Sequence, residues 1–169
     1  MSDAGLLAAA NAIRADAAGR DPWLLGLPIA GIGWATVELE RAAEELDAAF
    51  HRAGMPQPSW TPAKPDGLLG AAAWVSREWW PTWDTEEPPA IVLLEPDTEG
   101  RLAAALARSG EGVAAIYLAP REAGLLTADR ARVGTAAAGP LGTGRLVLAR
   151  PTWGPHVVVL DRPVLPARP

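Results

Sequence analysis

The sequence predicts an α+β fold in which one strand–helix–strands unit is used twice, and three observations carry that expectation. Two stretches, 3–18 and 39–53, repeat apolar residues at helical spacing. Short apolar runs rich in β-branched residues, punctuated by glycine and proline, supply strands. The order of these runs then recurs along the chain, as a βαβββ pattern would require.

Residues 3–18 set Leu6, Leu7, Ala10, Ile13 and Ala17 on one stripe, with Ser2 placed to cap the helix and Gly19 to stop it. The run "LPIAGIGWATVEL" (27–39) reads as a buried strand. The following "ELERAAEELDAAFHRAG" puts Leu39, Ala42, Ala43, Leu46, Ala49, Phe50 and Ala53 on one side and Arg41, Glu44, Glu45, Asp47 and Arg52 on the other, closing at Gly54. A proline-rich connection (Pro56, Pro58, Pro62, Pro65) leads to strands at 67–76 and 90–96. A helix at 99–109, a strand at 112–119 and a weaker helical stretch near 121–132 follow. Strands at 134–138, 144–150 and 156–161 finish the chain, with "GPLGTG" and "RPTWGP" as turns. The organisation is a lead-in (1–28), a single domain (29–161) of two modules (29–98 and 99–161), and a tail (162–169).

With 169 residues and 49% hydrophobic content, the chain can build one compact domain. A net charge of −5 without a Lys/Arg run argues against nucleic acid as a partner. The absence of cysteine removes disulfides, thiolate nucleophiles and cysteine-bound metals. The start, "MSDAGLLAAANAIRADAAGRDPW", lacks the basic region and uninterrupted apolar run of a signal peptide, and no stretch is long enough to span a membrane, so a cytoplasmic protein is expected. "GIGWAT" lacks the third glycine of a dinucleotide-binding turn, "GPLGTG" lacks the Lys-Ser/Thr of a phosphate loop, and no serine sits in a nucleophile elbow.

The segments "GIGWATVELERA" (31–42), "IVLLEP" (91–96) and "GEGVAAIYL" (110–118), with "GRLVLARP" and "GPHVVVLD" as closing strands, resemble the vicinal oxygen chelate superfamily, its methylmalonyl-CoA epimerase branch in particular. The resemblance covers about residues 29–161. It implies two modules curled into a cupped, incomplete barrel, with a divalent metal held by His, His, Glu and Gln or Glu from equivalent strands. Those ligand positions fall here on Gly31, on Val92 or Ala90, on Ala115, and on or near Val159. None carries a ligand. The chain has two histidines, His51 on the polar side of a helix and His156 beside Pro155. The expectation is a scaffold without the metal and without another cofactor.

The same resemblance turns Gly31, Gly33, Ala35, Val92, Leu94, Ala115, Tyr117, Val157 and Val159 into the cup. Small residues on the first strand leave room for a ligand, unless the side chains simply pack into a closed core. Eight tryptophans are present, and Trp79, Trp80 and Trp83 sit among prolines and acids as a lid over the cup or a subunit contact, whereas Trp34 points to the helix. The first functional expectation is therefore a metal-independent binder of a hydrophobic or aromatic small molecule, as in sequestration or resistance. A second is a cofactor-independent isomerase or lyase using Tyr117, Glu95, Asp97 or His156 as acid or base. A third is a non-binding structural or interaction protein. A homodimer is expected, since superfamily members commonly pair modules between subunits.

Overall fold

The computed structural model describes residues 3–77, 89–97, 99–120, 133–148 and 153–161. Helix α1 (Asp3–Ala18) and a 3₁₀ turn (Pro22–Gly26) precede β1 (Ile29–Ala35) and α2 (Leu39–Arg52). Strands β2 (Thr61–Pro62), β3 (Ala71–Ser76) and β4 (Ala90–Pro96) complete the first module, and α3 (Arg101–Ser109) crosses to the second. There β5 (Gly112–Leu118), β6 (Val133–Gly139), β7 (Gly142–Val147) and β8 (His156–Leu160) follow.

The strands form one sheet in the order β2-β3-β4-β1-β5-β8-β7-β6. Each module pairs its first and last strands in parallel, β1 with β4 and β5 with β8, and the two first strands meet antiparallel at the centre. This is the doubled arrangement expected from the sequence. The sheet curls until the turn before β3 reaches the far side, where the Gly67 amide donates to the Ala138 carbonyl at 3.0 Å. A cupped, incomplete barrel results.

Some boundaries differ from the sequence reading for local reasons. The strand expected at 67–76 starts only at Ala71, because Asp66–Gly70 is a turn: the Gly70 amide donates to the Asp66 carbonyl at 2.8 Å, and Gly70 takes φ +66°, which favours glycine. A short strand, β2, lies within the proline-rich connection. Pro62 is tolerated there because an edge strand needs no second row of hydrogen bonds. The helical stretch near 121–132, the Ser2 cap, the tail and the tryptophans Trp79, Trp80 and Trp83 fall outside the described residues.

Two apolar layers sandwich the sheet. On the convex side Leu6, Ala10, Ile13 and Ala17 of α1, and Leu39, Ala42, Leu46 and Phe50 of α2, pack on Ile32, Ile91, Leu93, Ile116, Leu118, Val157 and Val159. Helix α2 lies over β4, while α1 lies over β5, β1 and β8. The N-terminal helix thus covers on the second module the face that α2 covers on the first. At about 1.5–3 kcal/mol for each buried Leu, Ile or Phe, this layer makes the N-terminal extension part of the core.

On the concave side Leu102, Ala105 and Leu106 of α3 join the strands' inward residues. The linker helix therefore sits over one end of the cup.

Candidate functional site

The concave face receives Gly31, Gly33 and Ala35 from β1, Ala90, Val92 and Leu94 from β4, and Ala115 and Tyr117 from β5. The closing strand is out of phase with the sequence reading. Val157 and Val159 pack on the convex side with Ile116 and Leu118, and Val158 and Leu160 join the cup. By the two-residue period His156 shares their face, next to Ala115 in register. All five residues of β8 are buried, so an apolar pattern could not reveal which alternate set faces inward.

The small residues of β1 do not open a space. A Cβ added to Gly31 would collide with Leu141 Cδ1 and lie 3.3 Å from Tyr117 Cδ2. One added to Gly33 would lie 2.9 Å from both Ala115 Cβ and Leu94 Cδ1. Leu141 comes from the β6–β7 turn and is 8% exposed, so its side chain fills the notch over the first strand. The glycines are small because the protein's own side chains occupy the volume above them.

A polar pair lies within this apolar packing. The Tyr117 hydroxyl donates to Asp66 Oδ2 at 2.7 Å, and each residue is 1% exposed. Asp66 Oδ1 accepts from the Leu68 and Leu69 amides at 2.9 and 3.0 Å, as an Asp-Gly turn favours. Among the described residues these partners are uncharged. Burial raises the Asp66 pKa above the usual carboxylate value, and the bonds from Tyr117 and the two amides pull it only part of the way back. The Tyr117 hydroxyl is pushed well above its usual value, first by burial and then by the charge and hydrogen bond of Asp66. At neutral pH it stays a neutral donor. Asp66 was not singled out from the sequence. "PDG" signalled a turn, but nothing local showed that its carboxylate would meet a tyrosine of the other module.

The other acid–base candidates are dispersed. Glu95 Oε2 accepts from the Leu39 amide at 2.9 Å, so this carboxylate caps α2, not the helix that follows it in sequence. Glu111 Oε1 accepts from the Val37 amide at 2.8 Å and from Thr36 Oγ1 at 2.7 Å, and it pairs with Arg41, tying the same helix entrance to the second module. Asp97 is exposed. His156 is 1% exposed, and its ring lies against Gly154, where an added Cβ would be 3.3 Å from Nε2.

The positions that the resemblance assigns to metal ligands carry Gly31, Ala90 or Val92, Ala115 and Val159, and Val159 faces away from the cup. Among the described residues no three His, Asp or Glu side chains are close enough together to hold a metal ion. Among the described residues, donor atoms on the concave face come from Asp66, Tyr117 and His156, and the first two are committed to each other. These residues do not fit a chelated divalent metal, which wants several converging N or O ligands.

A sheet of two four-stranded modules joined antiparallel through their first strands defines the vicinal oxygen chelate fold. Solved structures that share it include methylmalonyl-CoA epimerases. One, in complex with methylmalonyl-CoA and ammonium, superposes with a TM-score of 0.58 at 18% identity over 83% of this chain and 99% of its own. A variant of the Streptomyces coelicolor epimerase, in complex with 2-nitronate-propionyl-CoA, gives 0.56 at 20% identity over 79% and 97%. The Mycobacterium tuberculosis epimerase gives 0.54 at 17% identity over 78% and 87%. No protein-family model matches the sequence, and no curated protein does.

Proposed function

We propose that this chain is a metal-independent protein of the vicinal oxygen chelate fold in which the cup has become a core, and that it acts as a structural or interaction protein through its outer surface. The observation that supports this reading is Leu141 seated in the notch above Gly31, with Ala115 and Leu94 closing over Gly33. An interior filled at native density has no volume to give a ligand. The Tyr117–Asp66 bond adds to it, because a tyrosine whose proton is held by a buried carboxylate is poorly placed to exchange that proton with a substrate. The proposal includes a homodimer in the cytoplasm, and the cysteine-free sequence agrees with a reducing compartment.

The test is native mass spectrometry and thermal melting against a panel of aromatic and acyl-thioester compounds, with and without a chelator. No one-to-one complex and an unchanged melting temperature are expected. A stoichiometric ligand, or a metal that survives dialysis, contradicts the proposal.

One observation favours the second reading, a hydrophobic or aromatic small molecule bound in the cup. The filler over Gly31 is a single side chain on a hairpin tip bounded by Gly139 and Gly142, the latter at φ +125°. On that reading Leu141 swings out, and Gly31, Tyr117 and Ala115 line the ligand. A compound that quenches tryptophan emission in the wild type, and binds more tightly to Leu141→Ala, supports it over the filled core.

A further inference from the structure

On the convex side the apolar layer is incomplete beside α2. A groove of about 350 Å³ runs along that helix, with the half-buried Trp34 indole at its floor. Ala42, Glu45, Ala48, Ala49 and Arg52 line it. Ala48, Glu45 and Arg52 are exposed, and Ala49 is half-buried.

The spacing of these residues is self-complementary. Positions 45, 48, 49 and 52 form one patch on a helix, since residues three and four apart are neighbours there. A two-fold axis between Ala48 and Ala49 relates two antiparallel copies of α2 so that position 45 faces 52 and position 48 faces 49. Each copy then sets Glu45 against the partner's Arg52, once at either end of the patch. The centre consists of alanines, which let helix axes approach within about 8 Å. Glu45 Oε1 accepts from Arg41 of its own helix at 2.7 Å, which leaves Oε2 for a second cation. A patch that is its own complement is what a two-fold contact requires.

We propose that this face of α2, floored by Trp34, is the contact between two copies of the chain. The inference rests on the interaction-protein reading above and names its surface. The Trp79–Trp83 segment, which the sequence offered as either a lid or a subunit contact, is not needed for it. The patch spans only about 11 Å of helix at 1.5 Å per residue, a short strip beside the roughly 800 Å² per partner of a standard interface. The dimer is accordingly concentration-dependent.

Sedimentation velocity over a concentration series of the full chain tests this with two charge reversals, Glu45→Arg and Arg52→Glu. Each alone sets like charges against each other at both ends of the patch and should weaken the dimer about tenfold or more. Mixed one to one, they should form a heterodimer in which both ends again pair opposite charges, one end with the native sign and the other reversed. Ala48→Cys, the sole thiol in this cysteine-free chain, should cross-link two copies near the axis under mild oxidation. Circular dichroism and melting of each variant separate a lost contact from a lost fold. A wild type that stays monomeric throughout, or a dimer that neither reversal weakens, overturns the proposal. So does a mixture no more associated than its components. None of these outcomes bears on whether the cup is filled, which the ligand panel decides separately.

Discussion

Adding one methyl group to the first strand distinguishes a packed cup from an open one. In Gly33→Ala the new Cβ lies 2.9 Å from Ala115 Cβ and 2.9 Å from Leu94 Cδ1. Carbon atoms prefer about 3.5–4.0 Å, so both contacts are too close by more than half an ångström. Leu94 can turn the end of its side chain. Ala115 cannot, because its Cβ is fixed to a strand paired in register with Gly33 at the sheet centre. The strands must shift, at a cost of about 1–3 kcal/mol for overpacking. Reduced freedom of the unfolded chain returns about 0.4–1 kcal/mol. The net loss of about 1–2 kcal/mol lowers the Tm by about 3–6 °C for a chain of this size. Thermal melting followed by tryptophan emission reads this, and Gly33→Ala with Ala115→Gly should recover most of the loss, since the second change removes the methyl that the first one strikes. An unchanged or raised Tm for Gly33→Ala would refute the packing argument, because it requires free space above the strand.

Three further outcomes follow from the same contacts. Tyr117→Phe leaves Asp66 Oδ2 buried without its donor and should cost about 1–3 kcal/mol at neutral pH; because the lost bond favours the charged carboxylate, the cost should shrink when the melt is repeated in acid, and a pH-independent cost counts against a charged Asp66. The raised pKa of Asp66 fixes the sign of its own effect: its contribution to stability is complete below the ordinary carboxylate value and is lost as pH rises through the raised folded value. Denaturant unfolding at several pH values should show this falling slope in the wild type and its absence in Asp66→Asn. Glu95→Ala removes the acceptor for the Leu39 amide and should cost about 0.5–2 kcal/mol, with no change in any binding assay; a loss of binding without a loss of stability would return Glu95 to the candidate site.

The parts of the fold legible in the sequence are those whose signals are local. Helix α2 announces itself through a two-sided pattern, α1 through apolar spacing that ends at Gly19, and β4 through an apolar run that stops at Pro96. Their observed limits agree with the reading to within a few residues. The doubled order of strands survives for the same reason. The phase of β8 was illegible, because a strand buried on both faces alternates apolar with apolar, and Val157 and Val159 therefore landed on the wrong side. The content of the cup was equally hidden. Gly31 looks the same whether a ligand or Leu141 lies above it, and Leu141 belongs to the other module. Asp66 reads locally as a turn residue. Its bond to Tyr117 exists only after the sheet has curled.

The central claim is that Leu141 occupies the cup in the protein at rest and does not give way to a ligand. Methyl-labelled NMR addresses it directly, through the cross-relaxation between the Leu141 δ methyls and the Gly31 α protons. A strong cross-peak is predicted, together with methyl shifts displaced by the Tyr117 ring and unmoved by saturating aromatic or acyl-thioester compounds. Absence of the cross-peak, or Leu141 methyl shifts that follow a titrated compound to saturation, would contradict the account.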